Sequence, residues 1–112
     1  DGEPAGYTMI IVGEPTDSDV AAAVAERPTA ELSKCYALPS AHGTGLAAAL
    51  VRSSVAAARA RGARSVWLGV NNENARAKRF YEKCGFAVVG MKKFLLGDRY
   101  EEDFVLELAL AV

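Results

Sequence analysis

The sequence has little of what builds a metal or disulfide site. Its 112 residues include two cysteines and one histidine. Cys35 and Cys84 lie far apart in the chain, and His42 has no cysteine or second histidine at the spacing of a zinc site. Each cysteine is therefore expected to be a buried thiol, and the chemistry of the protein is expected to use no metal.

Long apolar runs are also missing. Apolar residues make up 51% of the chain, but no stretch approaches the roughly 20 residues that a membrane-spanning helix needs. The first four residues, Asp1-Gly2-Glu3-Pro4, are unlike a secretory signal. We therefore expect a cytoplasmic protein that does not contact a membrane.

No part of the chain concentrates charge of one sign. Thirteen basic and fourteen acidic residues are interspersed and give a formal net charge of −1. A nucleic-acid-binding arm or a patch for anionic membranes would need a block of positive charge. The expected partner is a small molecule rather than a nucleic acid, and a homodimer is left open. A chain of this length has room for one domain with one core.

What the sequence does contain is a pattern of alternating strands and helices. The order strand, strand, helix, strand, helix, strand, strand indicates a mixed α/β (α+β) fold around a β-loop-α-β-α unit. The segment 16–27 is expected to be a short capped helix or an ordered loop. Strands are predicted at residues 6–12, 30–38, 65–70, 86–96 and 103–110, and helices at 46–61 and from 72–74 to 84.

The pair Asp1-Gly2 looks like the end of a hairpin turn whose first strand is absent. The single domain, residues 1–112, is therefore expected to be incomplete at its N-terminus or to be an unusually short version of its fold. No repeat or linker divides the chain into smaller units.

The strand at 30–38 contains an irregularity. Leu32 is in step with Tyr36, whereas Cys35 falls on the other parity. A β-bulge near Ser33-Lys34 would explain this shift of phase, and burial of both faces of the strand would explain it equally well.

A glycine-rich segment joins this strand to the first long helix. Gly43 and Gly45 free the backbone just before a helix N-terminus, where unpaired N–H groups and the helix dipole favour phosphate. A tight turn with no ligand would have the same sequence. Two rival phosphate motifs are excluded, because Leu46-Ala47 replaces the Lys-Ser/Thr of the nucleotide-triphosphate loop and Ala48 replaces the third glycine of the dinucleotide fingerprint.

Two motifs together resemble the GNAT superfamily of N-acetyltransferases. The segment His42-Gly43-Thr44-Gly45-Leu46-Ala47 resembles its acetyl-CoA loop, Arg/Gln-x-x-Gly-x-Gly/Ala. Residues 70–86 resemble the family's run of Asn, Ala, Phe-Tyr-Glu-Lys and Gly-Phe. The two motifs stand in the family's order, one helix and one strand apart, and the similarity covers nearly all of the chain from Gly6 onward.

The resemblance implies a fold and an activity. The fold would be that of the acyl-CoA N-acyltransferases, a mixed, mostly antiparallel sheet with flanking helices, here without the first strand and helices. The activity would be transfer of acetyl from the co-substrate acetyl-CoA to a primary amine, by direct attack in a ternary complex. A truncated or degenerate domain that binds CoA without turnover is the alternative.

The resemblance also assigns residues to the cofactor. The strand backbone at residues 36–38 would pair with the pantetheine arm, at an edge opened by splaying from the strand 65–70. The N–H groups of residues 43–48 would hold the pyrophosphate, and Asn74 would contact the arm or act only as a helix cap. His42 stands where the family has Arg or Gln, so its phosphate contact would depend on pH. The implied cofactor-binding residues are Tyr36, Ala37, Leu38, His42, Gly43, Thr44, Gly45, Leu46, Ala47, Ala48, Asn74 and Tyr81.

Two side chains are predicted to carry the chemistry. Tyr81, two helical turns after Asn74, would protonate the departing thiolate, although packing alone would also explain it. Only a neutral amine attacks a thioester, and Glu31 would take the amine's proton, directly or through water, unless it is a solvated strand-end carboxylate. The N–H of Ala37 or Leu38 would supply the oxyanion contact.

The tail of the chain bears on the type of acceptor but does not identify it. Residues 94–103 resemble the closing hairpin of the polyamine and small-amine type of this superfamily. The four acids in that segment would attract a cationic amine or form a solvated turn. The acceptor is expected to be a small-molecule amine, with a peptide N-terminus or a lysine as the alternative.

Overall fold

A computed structural model describes residues 6–37 and 45–110. The hairpin predicted at Asp1-Gly2 lies outside these ranges. The predicted mixed α/β class is confirmed by the order of elements. The described elements are β1 (Gly6–Val12), α1 (Ser18–Ala23), β2 (Thr29–Ala37), α2 (Leu46–Ala60), β3 (Ser65–Asn71), α3 (Ala75–Lys83), β4 (Ala87–Leu96) and β5 (Arg99–Ala109).

These strands form one sheet in the order β1-β2-β3-β5-β4. β2 and β3 are parallel because α2 carries the chain back between them, and the other three neighbouring pairs are antiparallel. The predicted mostly antiparallel sheet is therefore present. β3 lies at its centre, and residues 65–68 and Val70 are buried, as expected of a strand covered on both faces.

Each face of the sheet has its own apolar cluster. α1 covers part of one face, where Val20 and Val24 pack against Trp67 and Val105. Helices α2 and α3 cover the opposite face, where the main core lies. The buried residues of this core include Ala30, Leu32, Val51, Ala58, Val66, Leu68, Phe86 and Leu106.

The buried side of α2 differs from a simple leucine stripe. Val51, Ser54 and Ala58 are its buried residues, whereas Leu50 is only half-buried. Ser54 is accepted inside because its hydroxyl lies 2.6 Å from the Thr8 hydroxyl and 2.9 Å from the Leu50 carbonyl. The helix therefore docks on β1 through a polar contact that apolar periodicity does not reveal.

Of the two possibilities for residues 16–27, a short capped helix is the one that forms. The Asp19 carboxylate accepts a hydrogen bond from a backbone N–H of β4. The buried Glu107 carboxylate accepts from the N–H groups of Ala25, at 3.0 Å, and Glu26, at 3.1 Å. Both ends of this segment are thus fixed to the sheet by charge-assisted hydrogen bonds.

β5 begins earlier than the sequence predicted. The two-residue turn Gly97-Asp98 connects β4 to β5, and the strands already pair at Leu96 and Arg99, whereas the predicted strand started at Asp103. The first residues of β5 are exposed. Since solvent reaches this end of the hairpin, its residues do not alternate between apolar and polar, and the alternation that marks a strand appears only deeper in the sheet.

Candidate functional site

β2 and β3 pair with each other over only part of their length. The parallel ladder ends at Glu31 and Trp67, although β2 continues to Ala37 and β3 to Asn71. Beyond the last pair the two strands no longer pair with each other. The opening between them, which we call the β2–β3 opening, matches the splaying that the resemblance implied.

A β-bulge lies where β2 leaves β3. Met9 and Ile10 of β1 are opposite residues 32–34 of β2, so that Ser33 is the extra residue. A bulge bends its strand and increases the local twist. The bulge predicted near Ser33-Lys34 is confirmed, and it follows Glu31 by two residues.

The helices that follow β2 and β3 both begin at the end of the sheet where the opening lies, because parallel strands end at the same edge. Gly45 precedes α2 with φ +82°, in the left-handed region that favours glycine. Within the described residues no side chain caps α2, and its first turn holds no acid. No carboxylate of this first turn therefore offsets the positive end of the helix dipole.

Part of the predicted cofactor site falls outside the described residues. Leu38 and residues 42–44 lie in the gap of the description, and for Tyr36 and Ala37 only the backbone is described. The described part of that site therefore consists of the β2 backbone, residues 45–48 and α3.

Asn74 is the N-cap of α3. Its side-chain oxygen accepts a hydrogen bond of 3.1 Å from the N–H of Ala77. Asn74 therefore does cap the helix, which is one of the two roles predicted for it. A cap of this kind uses only the carbonyl oxygen, and the amide nitrogen is a donor that a ligand could use.

Tyr81 lies on the side of α3 that packs against the main core. Its half-buried ring meets Phe80 and Phe86 edge to face, with centroid distances of 5.0 and 5.9 Å. Such aromatic contacts fix the position of a ring. The structure thus holds the phenol in place on the face covered by α2 and α3.

Glu31 lies on the opposite face from Tyr81. Its neighbours Ala30 and Leu32 belong to the main core, and alternation along a strand sends the side chain between them to the other side. There Glu31 is next to Trp67, at the last pair before the opening. The predicted acid and the predicted base therefore lie on opposite faces of the sheet, with Glu31 at the start of the β2–β3 opening.

A cavity of about 380 Å³ lies on the face of Glu31. Residues 13–17, which follow β1, form one wall, and Glu31, Trp67 and Lys92 contribute the side that the sheet provides. Its volume falls within the range of small-molecule pockets. An acceptor of modest size would fit beside the opening.

Two acids of this cavity already have partners. Glu14 forms an ion pair of 2.8 Å with Arg27, and Asp17 caps α1 by accepting from the N–H groups of Asp19 and Val20. Glu31 has no such engagement within the described chain. It is the lining carboxylate that remains available to a ligand.

Asp103 is a further candidate that was not among the predicted site residues. It lies on the same face, two residues before the buried Val105 of β5. Burial raises the pKa of its carboxyl above the ordinary 3.8, Lys92 opposes this effect, and Glu101 adds to it. A Cβ placed on Gly69 would lie 3.3 Å from Asp103 Oδ2. In the sequence, the only sign of this is its spacing of two residues from Val105, which puts both side chains on the same face of the strand.

A second cavity, of about 340 Å³, lies on the other face of the sheet, between α2 and α3. Three of its lining side chains are cationic. Cys84, predicted to be buried, is only half-buried because it borders this cavity at the end of α3. The lining residues are Ala48, Val51, Arg52, Val55, Ala56, Arg59, Lys83, Cys84 and Leu108.

Residues 6–37 and 45–110, which the structure describes, contain neither a metal-binding cluster nor a membrane-spanning helix. In that part of the chain no group of three or more His, Cys, Asp and Glu residues could hold a metal ion. Over the same residues, no helix combines the length and the apolar character needed to cross a bilayer.

Comparison with solved structures supports the fold. A GNAT-family protein from Desulfovibrio desulfuricans superposes with a TM-score of 0.76 at 23% identity, over 99% of this chain and 64% of that one. A Bacillus subtilis acetyltransferase in complex with CoA superposes with a TM-score of 0.73 at 19% identity, over 98% of this chain and 72% of that one. At these identities the likeness shows the fold.

Comparison of sequences shows the family. The model of the acetyltransferase (GNAT) family matches residues 1–86. An uncharacterized N-acetyltransferase from Mycobacterium tuberculosis is 48% identical over 106 residues, which are 95% of this chain and 60% of that protein. The chain thus spans about 60% of the length of this relative. On the match to the family model and on this identity, the chain belongs to the GNAT family of acetyltransferases.

Proposed function

We propose that this chain is the cofactor-binding and catalytic part of an N-acetyltransferase that moves acetyl from acetyl-CoA to a primary amine. The observation that carries the proposal is the β2–β3 opening, which begins at Glu31 and Trp67 beside the N-terminus of α2. Membership of the family supports it, as does the CoA bound to the structural relative from Bacillus subtilis.

The pantetheine arm is proposed to enter the β2–β3 opening. Past Glu31, β2 no longer pairs with β3, and the backbone of Tyr36, Ala37 and Leu38 would pair with the amides of the arm as with an added strand. The amide nitrogen of Asn74 would add a side-chain contact from the start of α3.

The pyrophosphate is proposed to bind at residues 43–48. The left-handed Gly45 and the absence of acidic residues from the first turn of α2 support an anion at this helix end. His42 would add a contact that strengthens when its imidazole is protonated. Arg52, Arg59 and Lys83, which line the cavity between α2 and α3, give this face a positive potential that suits an anionic cofactor.

The acceptor is proposed to reach the thioester from the opposite face, where Glu31 lies. Glu31 takes a proton from the ammonium, directly or through water, and the neutral nitrogen attacks the thioester carbonyl. The N–H of Ala37 or Leu38 stabilises the oxyanion. As the carbon–sulfur bond breaks, Tyr81 gives its proton to the thiolate. Of the two protons that the nitrogen loses, one returns to Tyr81 and the other goes to solvent.

Release of CoA thiol from acetyl-CoA, measured with polyamines, amino acids and peptides as acceptors, tests this proposal. Thiol release that depends on an amine is expected, with small cationic amines favoured because Glu31 is the available carboxylate of the acceptor cavity. No release with any acceptor, combined with tight CoA binding by calorimetry, would instead indicate a CoA-binding domain without turnover.

A further inference from the structure

Asp103 reaches across to the neighbouring strand. In the register of β3 and β5, Asp103 is opposite Asn71 and Gly69 is opposite Val105. A Cβ on Gly69 would nevertheless lie 3.3 Å from Asp103 Oδ2, so the carboxylate leans diagonally over Gly69. Gly69 is two residues beyond Trp67, where pairing with β2 ends. The carboxylate of Asp103 therefore lies over the part of β3 that borders the opening.

This carboxylate has no partner within the described chain. The ion pairs of residues 6–37 and 45–110 do not include Asp103, and no hydrogen bond to its side chain occurs there. Lys92 is opposite Asp103 in the β4–β5 register, but its ammonium lies 5.9 Å from the centroid of the Phe94 ring and forms no ion pair with Asp103. Lys92 is therefore a cation near Asp103 that does not bind its carboxylate directly.

The surroundings of Asp103 disfavour its ionised form. Burial raises the pKa of Asp103, the Glu101 carboxylate raises it further, and the Lys92 ammonium lowers it only in part. A half-buried carboxylate without a hydrogen-bonding partner is unfavourable unless a cation or donor compensates it. Lys92 compensates the carboxylate only in part and forms no ion pair with it, so a ligand is a natural source of the remaining compensation.

Asp103 and Glu31 lie on the same face, on the two strands that flank β3. At the start of the opening, one strand spacing and two residues of rise separate the Glu31 backbone from Gly69, about 8 Å. Trp67 lies between them on the same face. A small amine held over Gly69 would have one carboxylate on each side.

We propose that Asp103 binds the ammonium group of the acceptor over Gly69 and so makes the site selective for small primary amines that carry no acidic group beside the nitrogen. The assignment rests on the function proposed above, in which Glu31 takes the proton. Gly69 leaves room for the Asp103 carboxylate to lie over the strand because it has no side chain. An acceptor with a carboxylate next to its amine is disfavoured because two protein carboxylates would face it.

The test is an NMR titration of the CoA-saturated, ¹⁵N-labelled protein with n-butylamine, and with 1-butanol as a neutral molecule of similar shape. Butylamine should shift the amide signals of Gly69 and Asp103 saturably, and butanol should not. Asp103→Asn should weaken butylamine binding about tenfold or more, since a charge-assisted contact is lost. Gly69→Ala should also weaken it, because the added methyl group displaces the carboxylate.

Asp98→Asn is the matched control. It removes the same charge from the exposed turn between β4 and β5 and should change the Kd for butylamine by less than about twofold. The proposal is overturned if Asp103→Asn binds butylamine as tightly as the wild type, or if butanol binds as well as butylamine. Well-dispersed spectra of Asp103→Asn and Gly69→Ala establish that each variant is folded, and either variant alone decides the question.

Thiol release, measured on the same samples, separates this inference from the proposed function. Binding of butylamine that depends on Asp103, without thiol release from any acceptor, supports the ammonium site and contradicts the acetyltransferase proposal. Amine-dependent thiol release with unchanged butylamine binding in Asp103→Asn supports the acetyltransferase and contradicts the ammonium site.

Discussion

Glu31 and Trp67 are the last residues at which the parallel strands β2 and β3 pair. The extra residue of β2, Ser33, follows Glu31 by two positions. The bend that a bulge imposes therefore coincides with the point where the strands part. Because the bulge belongs to the pairing of β1 with β2, the opening is a property of the sheet itself and requires no ligand to create it.

Deleting Ser33 should reduce the opening and weaken CoA binding by about tenfold or more, since β2 would lose its bend and could pair further along β3. Ser33→Ala keeps the extra residue and is the matched control, with CoA affinity expected within about twofold of the wild type. Calorimetry with CoA measures both affinities. Equal affinities in the deletion variant and in the wild type would mean that CoA binding does not depend on the bulge.

Tyr81→Phe should lower turnover with amines by about tenfold to a hundredfold and leave the affinity for acetyl-CoA nearly unchanged. The change removes the proton donor and keeps the ring that packs edge to face on Phe80 and Phe86. Steady-state thiol release gives kcat, and calorimetry gives the affinity. An unaltered kcat would remove Tyr81 from the mechanism.

Much of the fold and part of the site could be predicted from the sequence, because their signals are local. Gly45 marks a helix start because a residue without a side chain adopts the left-handed backbone conformation found there. Asn74 marks another because its side chain caps the helix. The change of parity between Leu32 and Cys35 allowed either a bulge or a strand buried on both faces, and the structure has a bulge at Ser33. Each of these signals lies within a few residues of the feature it predicts.

The rest could not be predicted, because it depends on which strands become neighbours. The Asp103 carboxylate lies over Gly69 only because β5 inserts between β3 and β4. The hydrogen bond from Ala25 to Glu107 joins residues 82 positions apart. No local sequence pattern indicates such pairs. From the sequence, Asp103 is therefore only an acidic residue of the tail and Glu107 only an acidic residue of the last strand.

Glu107→Ala should lower the free energy of unfolding by about 2 to 3 kcal/mol, because it leaves the N–H groups of Ala25 and Glu26 without their charged acceptor. Glu107→Gln keeps an acceptor oxygen and should cost less. Glu102→Ala on the same strand is the control and should change the value by less than about 0.5 kcal/mol. Urea unfolding measures all three. A loss in Glu107→Ala no larger than that of the control would mean that the segment after α1 does not depend on this carboxylate.

Asp103→Asn should stabilise the protein at pH 7, in contrast to most substitutions of half-buried residues. Burial raises the pKa of Asp103 in the folded state above the ordinary 3.8, so the folded protein pays a penalty for the ionised form whenever the pH exceeds the raised pKa. Asparagine does not ionise and removes that penalty. The gain should stay below about 1 kcal/mol because solvent still reaches the side chain.

The gain in stability from Asp103→Asn should depend on pH. As the pH falls through the raised pKa, Asp103 becomes protonated in the folded state and the penalty fades, so the advantage of Asp103→Asn should shrink and vanish below the ordinary value of 3.8. Urea unfolding of both proteins at pH 7 and pH 4 measures the change, with Asp98→Asn showing no comparable trend. An advantage that is equal at both values, or a loss at pH 7, would contradict the prediction. If removal of this carboxylate stabilises the fold at neutral pH, the carboxylate does not serve stability, and the ammonium site proposed above would account for its presence.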